Sequence, residues 1–174
     1  MELTGELADG WIGTSFVPEH ADVFMAPLQR GLEKSSRSLS DLDIQVGGSL
    51  EISEDVERLI EARRPAMAFT LGGMGSAQTN FYNDAFSRAG YEAEAKKVQS
   101  LWVDGKKEEA IRAVPDEMVL KTNLIGTREM VIERIRAYAA VGVTTLRVST
   151  TGTNWKERTE SLAEATDLVH SISV

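Results

Sequence analysis

A hydroxyl-rich segment near the end of the chain could bind a negatively charged group. Residues 149–154 read Ser-Thr-Thr-Gly-Thr-Asn, and they lie between a β-branched stretch and a helical pattern. Backbone N–H groups at a helix N-terminus, together with hydroxyl groups, can hold a phosphate or another anion. The same residue types are common helix caps, however, and an ordinary turn with Asn154 or Thr153 as the N-cap is the favoured alternative.

A glycine-rich segment, Gly72-Gly73-Met74-Gly75-Ser76, is the most unusual local feature. Three glycines in four residues indicate left-handed backbone, or the close approach of another backbone or a ligand. No Gly-Lys-Ser/Thr follows, so the segment is not a P-loop, and it lacks the spacing of a dinucleotide fingerprint. It is typical either of a structural turn or of the wall of a ligand site.

Two aromatic residues lie between two amides in Asn80-Phe81-Tyr82-Asn83, just before a predicted helix. Aromatic side chains could pack on a planar cofactor ring. A buried corner with amide caps is the favoured alternative, because Asn is a common N-cap.

The composition excludes several kinds of site. The chain has no Cys and only His20 and His170, so a thiolate metal site, a cysteine nucleophile and a histidine-based triad lack the necessary residues. Its 19 Lys and Arg against 27 Asp and Glu give a net charge of −8, which argues against nucleic-acid binding. No apolar run approaches the roughly 20 residues that span a bilayer, and the first residues do not resemble a secretory leader. We expect a cytoplasmic protein that binds no metal, nucleic acid or membrane.

Three strands alternate with helical patterns. The pattern predicts strands at Trp11–Gly13, Ile44–Ile52 and Thr144–Val148, whereas Met118–Leu120 is apolar but too short to count. This alternation is typical of an α/β fold with parallel strands and covering helices, and we treat residues 1–174 as a single unit. In such folds the chemistry gathers at the carboxyl ends of the strands.

Helices are predicted between these strands from apolar periodicity, caps and breakers. The sequence predicts that Ser53 caps the helix Glu54–Arg64 and that Pro65 ends it. Pro27 should kink or split the helix His20–Lys34. In the last helix we expect four residues to be buried, namely Leu162, Ala165, Val169 and Ile172. The expected spans are Leu3–Ala8, His20–Lys34, Glu54–Arg64, a helix from the N-cap Thr127 to Gly142 in the left-handed C′ position, and Lys156–Ile172.

Five segments together resemble the luciferase-like monooxygenase superfamily. Within it, the chain is most similar to the branch that uses the deazaflavin coenzyme F420, including the methylenetetrahydromethanopterin reductase-like enzymes. The segments are Leu7–Gly13, Ser36–Leu39 leading into Ile44, Phe69–Ser76, Pro115–Met118, and Gly126–Val131 with Gly142–Thr144.

The resemblance implies the C-terminal part of a (β/α)8 TIM barrel. Such barrels typically need about 250 residues. The three predicted strands would be the sixth, seventh and eighth, so the chain would comprise about three βα units, with strands one to five absent. The helices from Pro65 to Val114 would be the insertion that the family carries before the last strand.

The implied activity is hydride transfer between F420 and a small organic substrate. The alternatives are an FMN-dependent monooxygenase of the same superfamily and a non-catalytic half-barrel that needs a partner chain. The resemblance assigns no catalytic residue to this chain, because the catalytic residues of the family lie on the earlier strands. We therefore expect the isolated chain to be inactive. We also expect it to form a homo-oligomer or to pair with the missing N-terminal part. It assigns cofactor binding to Gly13, Thr14, Gly72, Gly73, Met74, Gly75, Ser149 and Thr150, and substrate binding to Asn80, Phe81 and Tyr82.

Overall fold

The protein has a helix-rich α/β fold with parallel strands. The computed structural model describes residues 1–76 and 78–172. The chain forms two compact units, the first made of Met1–Glu54 and Thr122–Val174 and the second of Asp55–Lys121. That both units belong to one domain stays a prediction of the sequence.

The described residues form helices and short strands in the following order. The first unit contains α1 (Glu2–Leu7), β1 (Gly10–Ile12), α2 (Asp22–Lys34), β2 (Asp43–Val46), β3 (Ser49–Ile52), β4 (Leu124–Gly126), α8 (Arg128–Ala140), β5 (Thr145–Leu146), β6 (Ser149–Thr150) and α9 (Trp155–Ser171). The second unit contains α3 (Val56–Gly72), α4 (Phe81–Phe86), α5 (Glu92–Val103), α6 (Lys107–Arg112) and α7 (Asp116–Lys121), with a π-helical turn at Ser87–Tyr91. None of these helices is long and apolar enough to cross a bilayer.

The strands of the first unit form two small parallel sheets of three strands each. The strand orders are β1-β2-β5 and β4-β3-β6. Only Gly47 and Gly48 separate β2 from β3. A Cβ on Gly47 would lie 2.8 Å from the carbonyl carbon of Arg147, and one on Gly48 would lie 2.5 Å from the carbonyl oxygen of Thr122. The glycine pair therefore lets the neighbouring chain segments approach on both sides.

The two faces of these adjoining sheets differ in chemistry. Ile44 of β2 is fully buried and packs with Leu28 and Leu32 of α2. Because successive side chains in a strand point to opposite faces, the residues that alternate with the buried ones lie on the other face. We call this the open face; its exposed side chains are Ile12, Asp43, Thr145, Arg147 and Ser149.

The second unit is helical, and buried amides and one arginine join its helices. Arg64 of α3 donates to the carbonyl oxygen of Val114 and forms an ion pair with Asp116 of α7. Asn80 and Asn83 are both buried, and their side chains donate to backbone carbonyl oxygens of α3 and α5. These bonds hold the chain between α3 and α5 in place.

Two predictions for α3 are wrong. The N-cap is Asp55, whose carboxylate accepts from the backbone N–H of Arg58, and not Ser53. The helix continues through Pro65 to Gly72 instead of ending at Pro65. Pro65 and Glu61, whose carbonyl oxygen loses its helical partner, both lie on the exposed side of the helix. Water can bind that oxygen, so the proline is tolerated.

Most other helix predictions are confirmed to within one or two residues. Thr127 caps α8 through its hydroxyl group, and Gly142 follows that helix with φ of 89°. Pro27 lies inside α2 and does not split it.

The predicted burial in α9 is wrong for three of its four residues. Ala165 is buried, but Leu162 and Val169 are 50% and 45% exposed, and Ile172 is half-buried. The exposed pair lies on the rim of an apolar groove rather than in the core. The sequence also missed β4, which is only three residues long.

Candidate functional site

The carboxyl end of β1 leaves an apolar side chain on the open face. Gly13 extends the pairing of β1 by donating its N–H to the carbonyl oxygen of Gln45, at 2.8 Å. Ile12 is 61% exposed there, although apolar strand residues are usually covered. Gly13 itself is buried and Thr14 is exposed. The predicted cofactor residues of this strand therefore border an exposed isoleucine.

The start of β2 carries a carboxylate whose hydrogen bonds are made within the sheet. Asp43 accepts from the hydroxyl groups of Thr144 and Thr145, at 2.6 and 2.8 Å, and from the amide of Gln45 at 2.6 Å. These bonds lower the pKa of Asp43 below its usual value, and the bond from Thr144 has the largest effect. A carboxylate stabilised in its charged form is a poor proton donor at neutral pH.

Arg147 lies between β5 and β6. Its neighbours Leu146 and Val148 line the apolar groove on the helix side, whereas Arg147 is exposed and does not line it. By strand alternation its side chain leaves the sheet on the open face.

The hydroxyl-rich segment mostly serves as a helix cap. The amide oxygen of Asn154 accepts from the backbone N–H of Glu157 at 3.0 Å, which confirms Asn154 as the N-cap of α9. The Glu157 carboxylate accepts from the backbone N–H and the hydroxyl of Thr153, at 2.7 and 3.0 Å, and these bonds lower its pKa. A side-chain carboxylate thus already occupies this helix N-terminus. Ser149, in β6, is exposed, and Thr150 is half-buried.

An acidic cavity of 460 Å³ lies beside this cap. Negative side chains dominate its lining, so it is unsuited to a phosphate or a carboxylate ligand. Residues 1–76 and 78–172 contain no group of three or more His, Asp or Glu side chains that could hold a metal ion. The lining residues are Glu51, Ile52, Thr151, Gly152, Glu157, Glu160, Ser161 and Glu164.

An apolar groove of 460 Å³, which the sequence did not predict, lies between α8, α9 and the strands. Tyr138 lines it and is 1% exposed, and burial raises the pKa of its hydroxyl to about 12. The sequence does contain a signal for this groove, because Leu162 and Val169 are two helical turns apart and so lie on the same face of the helix. Periodicity marks such residues as apolar but does not say whether a partner covers them.

In the second unit, the glycine-rich segment packs against aromatic side chains. A Cβ on Gly72 would lie 2.6 Å from Cγ of Trp102, and one on Gly73 would lie 2.6 Å from the ring of Phe69. Gly75 has φ of 85°, and Met74 is half-buried. Close approach, which the glycine spacing predicts, is therefore made by this unit's own rings.

The predicted substrate residues form the start of α4. Asn80 is the N-cap, and its amide oxygen accepts from the backbone N–H groups of Tyr82 and Asn83, at 3.1 Å each. This is the buried corner with amide caps that the sequence favours. Phe81 is 54% exposed, and its ring lies 5.7 Å from that of Tyr82 in an edge-on contact. Of the three predicted substrate residues, Phe81 is the one with an exposed apolar side chain.

Comparison with known proteins identifies the family. The sequence model of the luciferase-like monooxygenases matches residues 1–145, which is most of the chain. The chain belongs to the luciferase-like monooxygenase family. A Mycobacterium tuberculosis family member, named as a coenzyme F420-dependent oxidoreductase, is 30% identical over 84% of this chain and 43% of its own length.

Other relatives lead to the same branch of the family. The 5,10-methylenetetrahydromethanopterin reductase of Methanopyrus kandleri is 26% identical over 83% of this chain and 40% of its own length. The solved structure of the F420-dependent tetrahydromethanopterin reductase from that organism superposes with a TM-score of 0.72 and 21% identity, over 99% of this chain and 48% of the other. An F420-dependent secondary alcohol dehydrogenase superposes with a TM-score of 0.62 and 11% identity, over 99% and 46%. These likenesses confirm the partial TIM-barrel fold, and the chain spans less than half the length of its relatives.

The open face suits the planar ring of a deazaflavin, whereas the acidic cavity is poorly suited to the charged side chain of the coenzyme. A planar ring needs exposed apolar surface, which Ile12 supplies, with hydroxyl groups such as that of Ser149 on the same face. At the cap of α9, Glu157 and the carboxylates around it would repel an anion. The residues present therefore fit the ring at the open face.

Proposed function

We propose that this chain forms part of an F420-dependent oxidoreductase that transfers hydride between the deazaflavin and a small organic substrate in the cytoplasm. The bound coenzyme would supply the hydride chemistry. The chain would supply the carboxyl-end surface at Gly13, Thr14, Ser149 and Thr150 that orients the coenzyme. We keep Gly72–Gly75 as proposed coenzyme contacts and Asn80–Tyr82 as proposed substrate contacts.

The exposure of Ile12 carries this proposal. A parallel sheet normally has both faces covered, yet this isoleucine at a strand's carboxyl end is 61% exposed. An uncovered apolar residue in that position is expected where a ligand binds. Family membership supports F420 as the ligand, since the named relatives depend on it.

Binding, rather than turnover, tests the proposal, because we expect the isolated chain to be inactive. The purified 174-residue protein is titrated with F420 and, separately, with FMN, and the ligand fluorescence is followed. We expect saturable F420 binding that is tighter than FMN binding. Tighter FMN binding would support the FMN-dependent monooxygenase instead. If neither ligand binds below about 1 mM, which corresponds to roughly −4 kcal/mol, the cofactor assignment is wrong.

A matched pair of variants locates the binding surface. Ile12→Asp places a charge on the open face, and Val103→Asp places one at a comparably exposed residue, 59% against 61%, at the end of α5. We expect Ile12→Asp to weaken F420 binding at least tenfold and Val103→Asp to leave it unchanged. Equal effects would contradict a site on the open face.

We also propose that the chain pairs with a second polypeptide, either another copy or the N-terminal part present in its longer relatives. Leu3 and Leu7, one turn apart on α1, are 69% and 73% exposed, so they form an apolar stripe at one end of the sheet. Light scattering during size-exclusion chromatography tests this proposal. A dimer supports a second copy, and a monomer that associates with an added N-terminal half of a relative supports the other partner. A monodisperse monomer that does not bind the added half contradicts both proposed partners.

A further inference from the structure

Arg147 is a charged residue without a counter-ion on the open face. It is exposed, and although its backbone N–H donates to the carbonyl oxygen of Val46 at 2.8 Å, its side chain forms no hydrogen bond or ion pair with any residue in the ranges 1–76 and 78–172. This is unusual for a chain with a net charge of −8, in which carboxylates outnumber cations. Its guanidinium is therefore available to a ligand.

Asp43, the exposed carboxylate on the same face, already has hydrogen-bond partners. Asp43 uses its two oxygens to accept from Thr144, Thr145 and Gln45. Pairing with Arg147 would require the loss of these bonds. The carboxylate of Asp43 is therefore bound by its neighbours, whereas the guanidinium of Arg147 is free to bind a ligand.

We propose that Arg147 binds an oxyanion, a phosphate or a carboxylate, of the ligand on the open face. The planar guanidinium offers five N–H donors in a fork that matches two oxygens of such a group. Hydrogen bonds between charged partners are shorter and stronger than neutral ones. The inference rests on the proposed function for the ligand's identity, and the oxyanion belongs either to the coenzyme or to the substrate.

Inorganic phosphate tests the residue independently of any coenzyme. The arginine Nε–H signals are followed by NMR during a phosphate titration, and Arg147→Met identifies the signal of interest. Arg136 of α8 is the matched control, since it is exposed and its side chain also lacks a partner in the part of the chain that the structure describes. We expect a saturable shift for Arg147 and none for Arg136. Equal shifts of both signals, or no shift of either, would overturn the proposal.

A coenzyme titration then identifies the source of the oxyanion. We expect Arg147→Met to weaken F420 binding by about 10- to 100-fold, Arg147→Lys to restore part of that loss, and Arg136→Met to have no effect. If Arg147→Met abolishes phosphate binding but leaves F420 affinity unchanged, the oxyanion belongs to the substrate. If the unaltered protein does not bind F420 at all, the proposed function fails, while the phosphate titration still decides the role of Arg147.

Discussion

Replacing Gly72 by Ala separates a structural role of the glycine-rich segment from a ligand-binding one. The added Cβ would lie 2.6 Å from Cγ of Trp102, whereas ordinary carbon contacts are about 3.5–4.0 Å. The side chain of Trp102 must therefore retreat by roughly 1 Å, and α5 must move with it. Such overpacking costs about 1–3 kcal/mol, and improved helix propensity offsets up to about 1 kcal/mol of it. We expect a net loss of about 1–2 kcal/mol in the free energy of unfolding.

Urea unfolding followed by circular dichroism measures this loss, and thermal unfolding should show a decrease of roughly 2–8 °C in Tm. Gly105→Ala is the control, because nothing lies within 4 Å of its Cβ and its cost comes only from its φ of 80°. F420 affinity is measured on the same samples. Suppose Gly72→Ala unfolds at the same urea concentration as the unaltered protein but binds F420 more weakly. The structural reasoning is then refuted, and Gly72 acts on the ligand.

Three further predictions concern stability. Gly31→Ala should destabilise the protein by about 1–3 kcal/mol in urea unfolding, since its Cβ would lie 2.8 Å from the carbonyl carbon of Glu2; a stabilised variant would show that helix propensity outweighs the clash. Ion pairs with Lys34 and Arg30 lower the pKa of Glu2 to about 2, so the stability they provide is complete above about pH 4.5 and disappears as the pH falls through 2. Glu2→Gln should remove this part of the pH dependence, and an unchanged profile would contradict the assignment. Asn83→Ala should cost about 1–3 kcal/mol, because the buried carbonyl oxygens of Leu71 and Ala95 each lose a side-chain donor and only that of Leu71 keeps another, from Asn80; an unchanged Tm in thermal unfolding would contradict this bond count.

Local patterns predicted most of the helices and the caps Thr127 and Asn154, but they did not predict where a strand breaks or a helix continues. The alternation of Ile44, Val46, Leu50 and Ile52 predicts one strand, whereas the structure has β2 and β3. The break at Gly47 and Gly48 depends on how closely Arg147 and Thr122 approach, which no local pattern contains. Likewise, Pro65 stays inside α3 because its side of the helix is exposed, a property of the tertiary structure.

The candidate site shows the same limit. Glycine spacing predicted close approach at Gly72 and Gly73, but a ligand and Trp102 are equivalent from the sequence, because Trp102 lies thirty residues further along. Asn154 could be predicted as a cap because the cap is local. Whether the side chain of Arg147 has a partner depends on the positions of all the charged groups around it in the folded chain. Sequence reasoning therefore missed this residue.

The carboxylate of Glu157 can be regarded as a tethered competitor at the N-terminus of α9. It lies four residues from Thr153, to which it binds, and groups joined by so short a linker meet at effective concentrations of about 1 mM or more. A free anion at micromolar concentration would be outcompeted there. Protonation of Glu157 at low pH, rather than added ligand, is the event that would vacate this position.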